Sequence, residues 1–342
     1  MRGDISRRQK GSFNWLMLLT GLIVFAVVPF FLKSYQQNTF ILIAFYAFAA
    51  TAWNIICGFV GTLSLGHAAY LGLGGYISTL LLIYLDLSPW IGMFVGAFIT
   101  CLIGIGVGYL CFRLKGPYFS LTSIAFAEIL RIWVENNEYF FGIDIQGSMG
   151  LLLQQTGFQA SAFEFEGKLA YYCVIMAFLA IAVLISFYIR RNKLGFYMVA
   201  IRSDPDAAES LGIPLLKYKL IAMAISVFLI AFAGTFYAQY FRYIGPTRVF
   251  GRDLSIQIAL PALVGGQGTV LGPLFGAILL VPVTEYLSMH LSGTMPGLHL
   301  FVYGIVMMLV VFFMPKGIHD YVIRFFNWAQ NALTGEGKKV AR

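Results

Sequence analysis

Ala200–Pro214, reading AIRSDPDAAESLGIP, is a polar stretch set between two long apolar runs, residues 169–189 and 219–241. Its residues spell a short helix with both ends marked. Asp204 is placed to cap the first turn and Pro205 suits the first helical position. Asp206 and Glu209 fall toward the positive end of the helix dipole, and Gly212 with Pro214 stops the helix. An ordinary connector between two membrane spans has no need of such a unit. A membrane protein worked by a soluble partner does, because force has to enter through a surface element. The expected partner-contacting residues are Asp204, Pro205, Asp206, Ala207, Ala208, Glu209, Leu211, Gly212 and Pro214.

Composition supports the membrane setting. Of 342 residues, 59% are hydrophobic and only 11% charged, with a mean hydropathy of +0.81. A soluble domain would have to bury nearly all of itself. Apolar runs near 13–32, 39–57, 89–112, 169–189, 219–241 and 298–314 approach or exceed the ~20 residues needed to cross a hydrocarbon core. The net charge of +8 is better read by position than by sum. Cations gather in residues 1–12 (Arg2, Arg7, Arg8, Lys10), at Arg113 and Lys115, and in residues 190–219 (Arg190, Arg191, Lys193, Arg202, Lys217, Lys219). The tail adds Lys316, Arg324, Lys338, Lys339 and Arg342. One topology puts all four segments on the same side, which the positive-inside rule makes cytoplasmic, so both termini are expected inside and no nucleic-acid role is implied. Lys33 and residues 135–168 and 242–253 fall outside. The basic start followed by apolar residues, without a small-residue cleavage site, reads as a retained first span. Cys57, Cys101, Cys111 and Cys173 have no C-x-x-C pairing and read as buried thiols, with no disulfide framework or metal site.

The expected architecture is an all-α polytopic membrane protein of eight to ten transmembrane helices, ten being favoured. It divides into a cytoplasmic segment 1–12, a membrane domain 13–314 and a cytoplasmic tail 315–342, with 135–167 as an external loop and 190–219 as a cytoplasmic one. The favoured count comes from two regions too long for one span and broken by glycines: GFVGTLSLG (Gly58–Gly66) and GGQGTVLG (Gly265–Gly272). Both contain G-x-x-G-T at a matching place, the mark of a diverged internal repeat. Backbone freed at such breaks is tolerated only against other protein or a water-filled path. Gly61, Ser64, Gly66, His67, Gly265, Gly268, Thr269 and Gly272 are therefore candidates for a translocation path, with close helix packing as the alternative. Packing is the preferred reading for the G-x-x-x-G pairs Gly92/Gly96, Gly104/Gly108, Gly268/Gly272 and Gly272/Gly276.

Polar groups at membrane depth are few. Glu128 and Arg131 lie three apart and should pair on one helix face. His67 lacks companions at ligand spacing and reads as a packing or path-lining residue, and Glu285 sits near an external end. Residues 135–167 are acidic and amide-rich (Glu135, Asn136, Asn137, Glu138, Asp144, Gln146, Glu164, Glu166), either a platform for a delivering partner or a solvated loop. H-E-x-x-H, G-x-S-x-G and G-x-x-x-x-G-K-[ST] are missing from the sequence, which argues against an enzyme and against self-driven nucleotide hydrolysis.

Five stretches in order resemble the permease subunits of branched-chain amino acid ABC importers, whose relatives include urea and amide permeases. They are GTLSLGHAAYLGLGGY (Gly61–Tyr76), RLKGPYFSLTSIAFAEILR (Arg113–Arg131), AIRSDPDAAESLGI continuing to KYKLIAMAIS (Lys217–Ser226), GGQGTVLGPLFGA (Gly265–Ala277) and FMPKGI (Phe313–Ile318). The resemblance covers roughly residues 40–318. It implies a subunit of the bacterial inner membrane, in contact with membrane lipid, that needs no cofactor. Its implied partners are a second permease, two cytoplasmic ATP-binding subunits and a periplasmic binding protein, and it makes Asp204–Pro214 the element that rides on the ATPase. Where the family shows T-G-G-x-D-G-L, this chain reads IQGSMGL (Ile145–Leu151), keeping Gly147, Gly150 and Leu151. That departure bears on partner docking or substrate type. A urea or amide substrate is the first rival expectation. An ion-coupled carrier working through Glu128, Arg131, His67 and Glu285 is the second, and it predicts uptake that survives ATP depletion but collapses with an uncoupler.

Overall fold

The computed structural model describes residues 27–113, 118–140, 142–154 and 159–291, with 25, 157, 304, 305, 308, 317 and 318 as isolated positions. Most of the expected first span (13–32), most of the last (298–314), segment 1–12 and most of the tail lie outside the described residues.

The helices, in chain order, are α1 (Ser34–Asn54, continuing as a π turn over Ile55–Phe59), α2 (His67–Leu85), α3 (Pro89–Cys111), α4 (Tyr118–Asn136), α5 (Lys168–Arg191), α6 (Lys193–Ser203), α7 (Pro205–Ser210), α8 (Leu215–Phe241), α9 (Pro246–Val249), α10 (Arg252–Gly266) and α11 (Gly272–Leu291). Six described helices have the length and apolarity to cross a membrane: α1, α2, α3, α5, α8 and α11. The protein is therefore a multi-pass α-helical membrane protein. α4, also 19 residues long, carries Glu128, Arg131 and Glu135, and α10 is only 15 residues long. Each glycine break does separate two helices, α1 from α2 and α10 from α11, as the ten-span reading requires.

α1 is central. It is apolar on every side, and Ile41, Ala44, Ala47, Ala49, Ala50, Ala52 and Trp53 are fully buried, as expected of a helix surrounded by others. Peripheral α3 buries its glycine stripe and turns Phe94, Phe98 and Leu102 outward, where lipid would cover them. Small residues set the helix contacts. A Cβ on Gly96 would sit 3.0 Å from the Gly74 carbonyl oxygen and one on Gly104 would sit 2.9 Å from Val227, so these glycines of α3 serve packing against α2 and α8. A Cβ on Gly234 of α8 would run into the Leu71 carbonyl of α2, so the two backbones cross in direct contact there.

One end of the bundle gathers 84–90, 139–166 and 242–251. Two short antiparallel hairpins form there, β1 (Tyr139–Phe140) with β2 (Ile143–Asp144), and β3 (Leu151–Leu152) with β4 (Tyr243–Ile244). The described residues of 135–167 thus form a folded cap instead of a plain solvated loop. Phe163 is fully buried against Trp90, with ring centroids 4.5 Å apart. Arg242 donates to Glu164 at 2.8 Å, and the other Glu164 oxygen accepts from the Gly157 amide at 3.1 Å. The glycines kept in IQGSMGL have structural work here, since a Cβ on Gly150, at φ +73°, would lie 2.6 Å from the Ile244 carbonyl oxygen. The opposite end gathers the two glycine breaks and residues 190–214.

Candidate functional site

The surface helix α7 has the ends its sequence implies. Asp204 Oδ1 accepts from the amides of Asp206 and Ala207, each at 3.0 Å, and Pro205 occupies the first turn. At the other end the Gly212 amide donates to Glu209 O (2.9 Å) and the Ile213 amide to Ala208 O (3.1 Å), with Gly212 at φ +81°. This is the paired C-terminal bonding of a Schellman motif, which a glycine at that position makes cheap. Asp204, Pro205, Asp206, Ala207, Glu209, Leu211 and Gly212 are exposed, Leu211 at 81%. Ala208 is the exception: it is buried and ties the helix to the bundle. Pro214 leads directly into α8 as its N-cap residue.

The path candidates separate into three groups. Gly66, Gly265 and Gly272 are close-approach positions. A Cβ on Gly66 would strike the Ser123 carbonyl of α4, and one on Gly265 would strike the Gly272 carbonyl. Ser64 and His67 are fully buried and bonded to each other: His67 Nδ1 lies 2.8 Å from Ser64 Oγ, and Nε2 lies 2.9 Å from Ser226 Oγ. Ser226 spends its proton on the Ala52 carbonyl at 2.7 Å. Nε2 must then be the donor to Ser226, so the ring and the Ser226 hydroxyl together link α1, α2 and α8. No hydrogen bond joins His67 to Glu128, Arg131 or Glu285 among the described residues. Arg131 instead bridges Glu128 (2.5 Å) and Glu135 (2.7 Å) on α4, as the spacing of the first pair implied.

Gly61, Gly268 and Thr269 form the third group, and the structure brings the two breaks into contact there. The π turn at the end of α1 and the end of α10 both present unpaired carbonyls, as helix C-termini must. Gln267 Nε2 donates to Cys57 O at 2.7 Å. Asn54, fully buried in α1, donates from Nδ2 to Thr269 O and accepts at Oδ1 from the Gly268 amide, both at 2.8 Å. Thr269 Oγ1 in turn donates to Gly266 O (2.7 Å) and accepts from the Gly272 amide (3.0 Å), starting α11. Asn54 was not among the residues singled out from the sequence. Its signal was available, since an amide in the apolar run AFAATAWNIICGF needs a partner wherever it is buried.

No cluster of His, Cys, Asp or Glu suited to a metal occurs among the described residues. The geometry describes two broken helix pairs meeting end to end beside a capped surface helix. The family described as "Branched-chain amino acid transport system / permease component" matches residues 36–311. The chain belongs to this family. It is a permease component of a transport system and not an enzyme. Similar proteins include the high-affinity branched-chain amino acid transport system permease protein LivM of Escherichia coli, 26% identical, covering 88% of this chain and 74% of LivM. The probable branched-chain amino acid transport permease protein LivH of Methanocaldococcus jannaschii is 24% identical over 77% of this chain and 82% of its own length. The fructose import permease protein FrcC of Rhizobium meliloti is also 24% identical, over 76% of this chain and 80% of its own. No solved structure matches at a comparable level.

Proposed function

We propose that this permease imports branched-chain amino acids across a bacterial inner membrane as one of two related permease subunits, driven by two cytoplasmic ATP-binding subunits. α7 is the coupling element. Its exposed Leu211, Asp206 and Glu209 meet the ATPase, while buried Ala208 passes the displacement into the bundle. The chain crosses ten times with both termini cytoplasmic, and a periplasmic binding protein delivers substrate to the folded cap of residues 135–167. Gly61, Ser64, Gly66, His67, Gly265, Gly268, Thr269 and Gly272 form the frame that opens and closes, with Gly61, Gly268 and Thr269 nearest the cytoplasmic mouth. The observation that carries this reading is a well-capped, solvent-facing helix placed one residue from the segment that contacts both glycine breaks.

The test has two arms. In membrane vesicles holding the whole complex, Leu211→Cys should cross-link to the ATP-binding subunit and to nothing on the periplasmic side. Import of labelled leucine, isoleucine or valine should need ATP, persist with an uncoupler, and resist competition by urea, acetamide or fructose. Import that survives ATP depletion, or that is competed away by one of those three, overturns the reading.

A further inference from the structure

Arg202 lies on α6, two residues before the cap Asp204, yet its side chain reaches away from the surface helix into the junction of the two breaks. Nη1 donates to Gly58 O at 2.5 Å and to Gln267 O at 3.5 Å. Those carbonyls end two different broken helices, where the partial negative charge of a helix C-terminus favours a cation. The matching glycines of the two G-x-x-G-T motifs flank the same side chain. Gly61 stands at φ +82° and Gly268 at φ +80°. A Cβ on Gly61 would lie 2.8 Å from Arg202 Cγ, and a Cβ on Gly268 would collide with Arg202 Nη1. The last glycine of each motif is thus needed twice over, for a left-handed backbone and for room beside one arginine side chain, its stem at Gly61 and its guanidinium at Gly268. Arg190 adds a third bond, Nη1 to Gly268 O at 3.3 Å.

We infer that Arg202 is a positioning residue that acts as a latch. It clasps the two glycine breaks at the cytoplasmic mouth, and because it shares a rigid helix with the cap of α7, movement of α7 withdraws it and lets the breaks part. This rests on α7 being the coupling element, but the latch itself is tested without ATPase motion. Cys57 is a native reporter. It is fully buried one residue before the clasped Gly58 carbonyl, whereas Cys111 is buried at the end of α3, outside the junction.

Nucleotide-free complex in inverted vesicles is treated with a membrane-impermeant maleimide, and labelling is read thiol by thiol by peptide mass spectrometry. Arg202→Ala should raise Cys57 labelling about tenfold, the size expected from losing a charge-assisted hydrogen bond, and leave Cys111 unchanged. It should also lower substrate imported per ATP hydrolysed. Arg202→Lys, which keeps a donor but loses the fork, should fall between. Gly268→Ala keeps the charge and displaces the guanidinium, so it should reproduce the Cys57 signature should Arg202→Ala not assemble. Unchanged Cys57 labelling, or a parallel rise at Cys57 and Cys111, overturns the latch. A missing Leu211 cross-link alongside selective Cys57 exposure would instead remove the coupling reading and leave the latch standing.

Discussion

Replacing Asn54 by alanine removes one side chain that completes the backbone bonding of the second glycine break from within the first helix. Both of its amide atoms are used, at 2.8 Å each, on the Gly268 amide and the Thr269 carbonyl. A buried polar group left unpaired costs about 1–3 kcal/mol. Gly268 and Thr269 are half-buried, so the lower half of that range applies to each. The two together cost ~3 kcal/mol, a roughly hundredfold shift in the local opening equilibrium. Native-state hydrogen exchange on the purified complex in nanodiscs reads this directly. Peptides covering 264–270 should exchange roughly a hundredfold faster in Asn54→Ala, while peptides from the α2–α8 crossing keep their protection. Asn54→Asp, which can accept from Gly268 but cannot donate to Thr269, should be at least as damaging. Unchanged exchange at 264–270 would show that the breaks are held by something other than this amide and would refute the bonding scheme that joins them.

Two further substitutions test the other ends of the structure. Gly212→Leu forces a branched side chain into φ +81°, at about 1–2 kcal/mol of local strain, and Ala208→Leu overfills a buried position. Both should abolish ATP-coupled uptake while leaving the subunit in the membrane, measured by uptake and immunoblotting of vesicles, and normal uptake would count against α7. At the cap, Glu164→Ala leaves the part-exposed Arg242 with only its long bond to Tyr171 and should cost about 1–3 kcal/mol, seen as faster proteolysis of residues 150–166. Glu128→Gln removes a more exposed partner of Arg131, which keeps Glu135, and should change stability by less than ~1 kcal/mol.

What was legible from the sequence follows from one-dimensional rules. Apolar runs and the placement of cations gave a polytopic helical protein, and the cap residues Asp204, Pro205 and Gly212 gave α7 with its bounds, because capping chemistry acts between residues two to five apart. The pairing of Glu128 with Arg131 was legible for the same reason. The glycine breaks were visible as breaks, but their individual roles were not. Gly66, Gly265 and Gly272 sit where backbones approach closely, and His67 bonds within a junction of three helices. Segment 135–167 gave no sign from its acidic composition that Phe163 and Glu164 bury against Trp90 and Arg242.

Span lengths, sidedness signals and helix caps were therefore set by the chain itself, since each depends on neighbours along the backbone. Which helix ends meet was decided only in three dimensions. Asn54 and Thr269 are 215 residues apart, and Arg202 and Gly58 are 144 apart. No periodicity connects such positions. They come together because helix termini inside a membrane protein leave carbonyls and amides that lipid will not bond, and the nearest donors and acceptors happen to be carried by other helices.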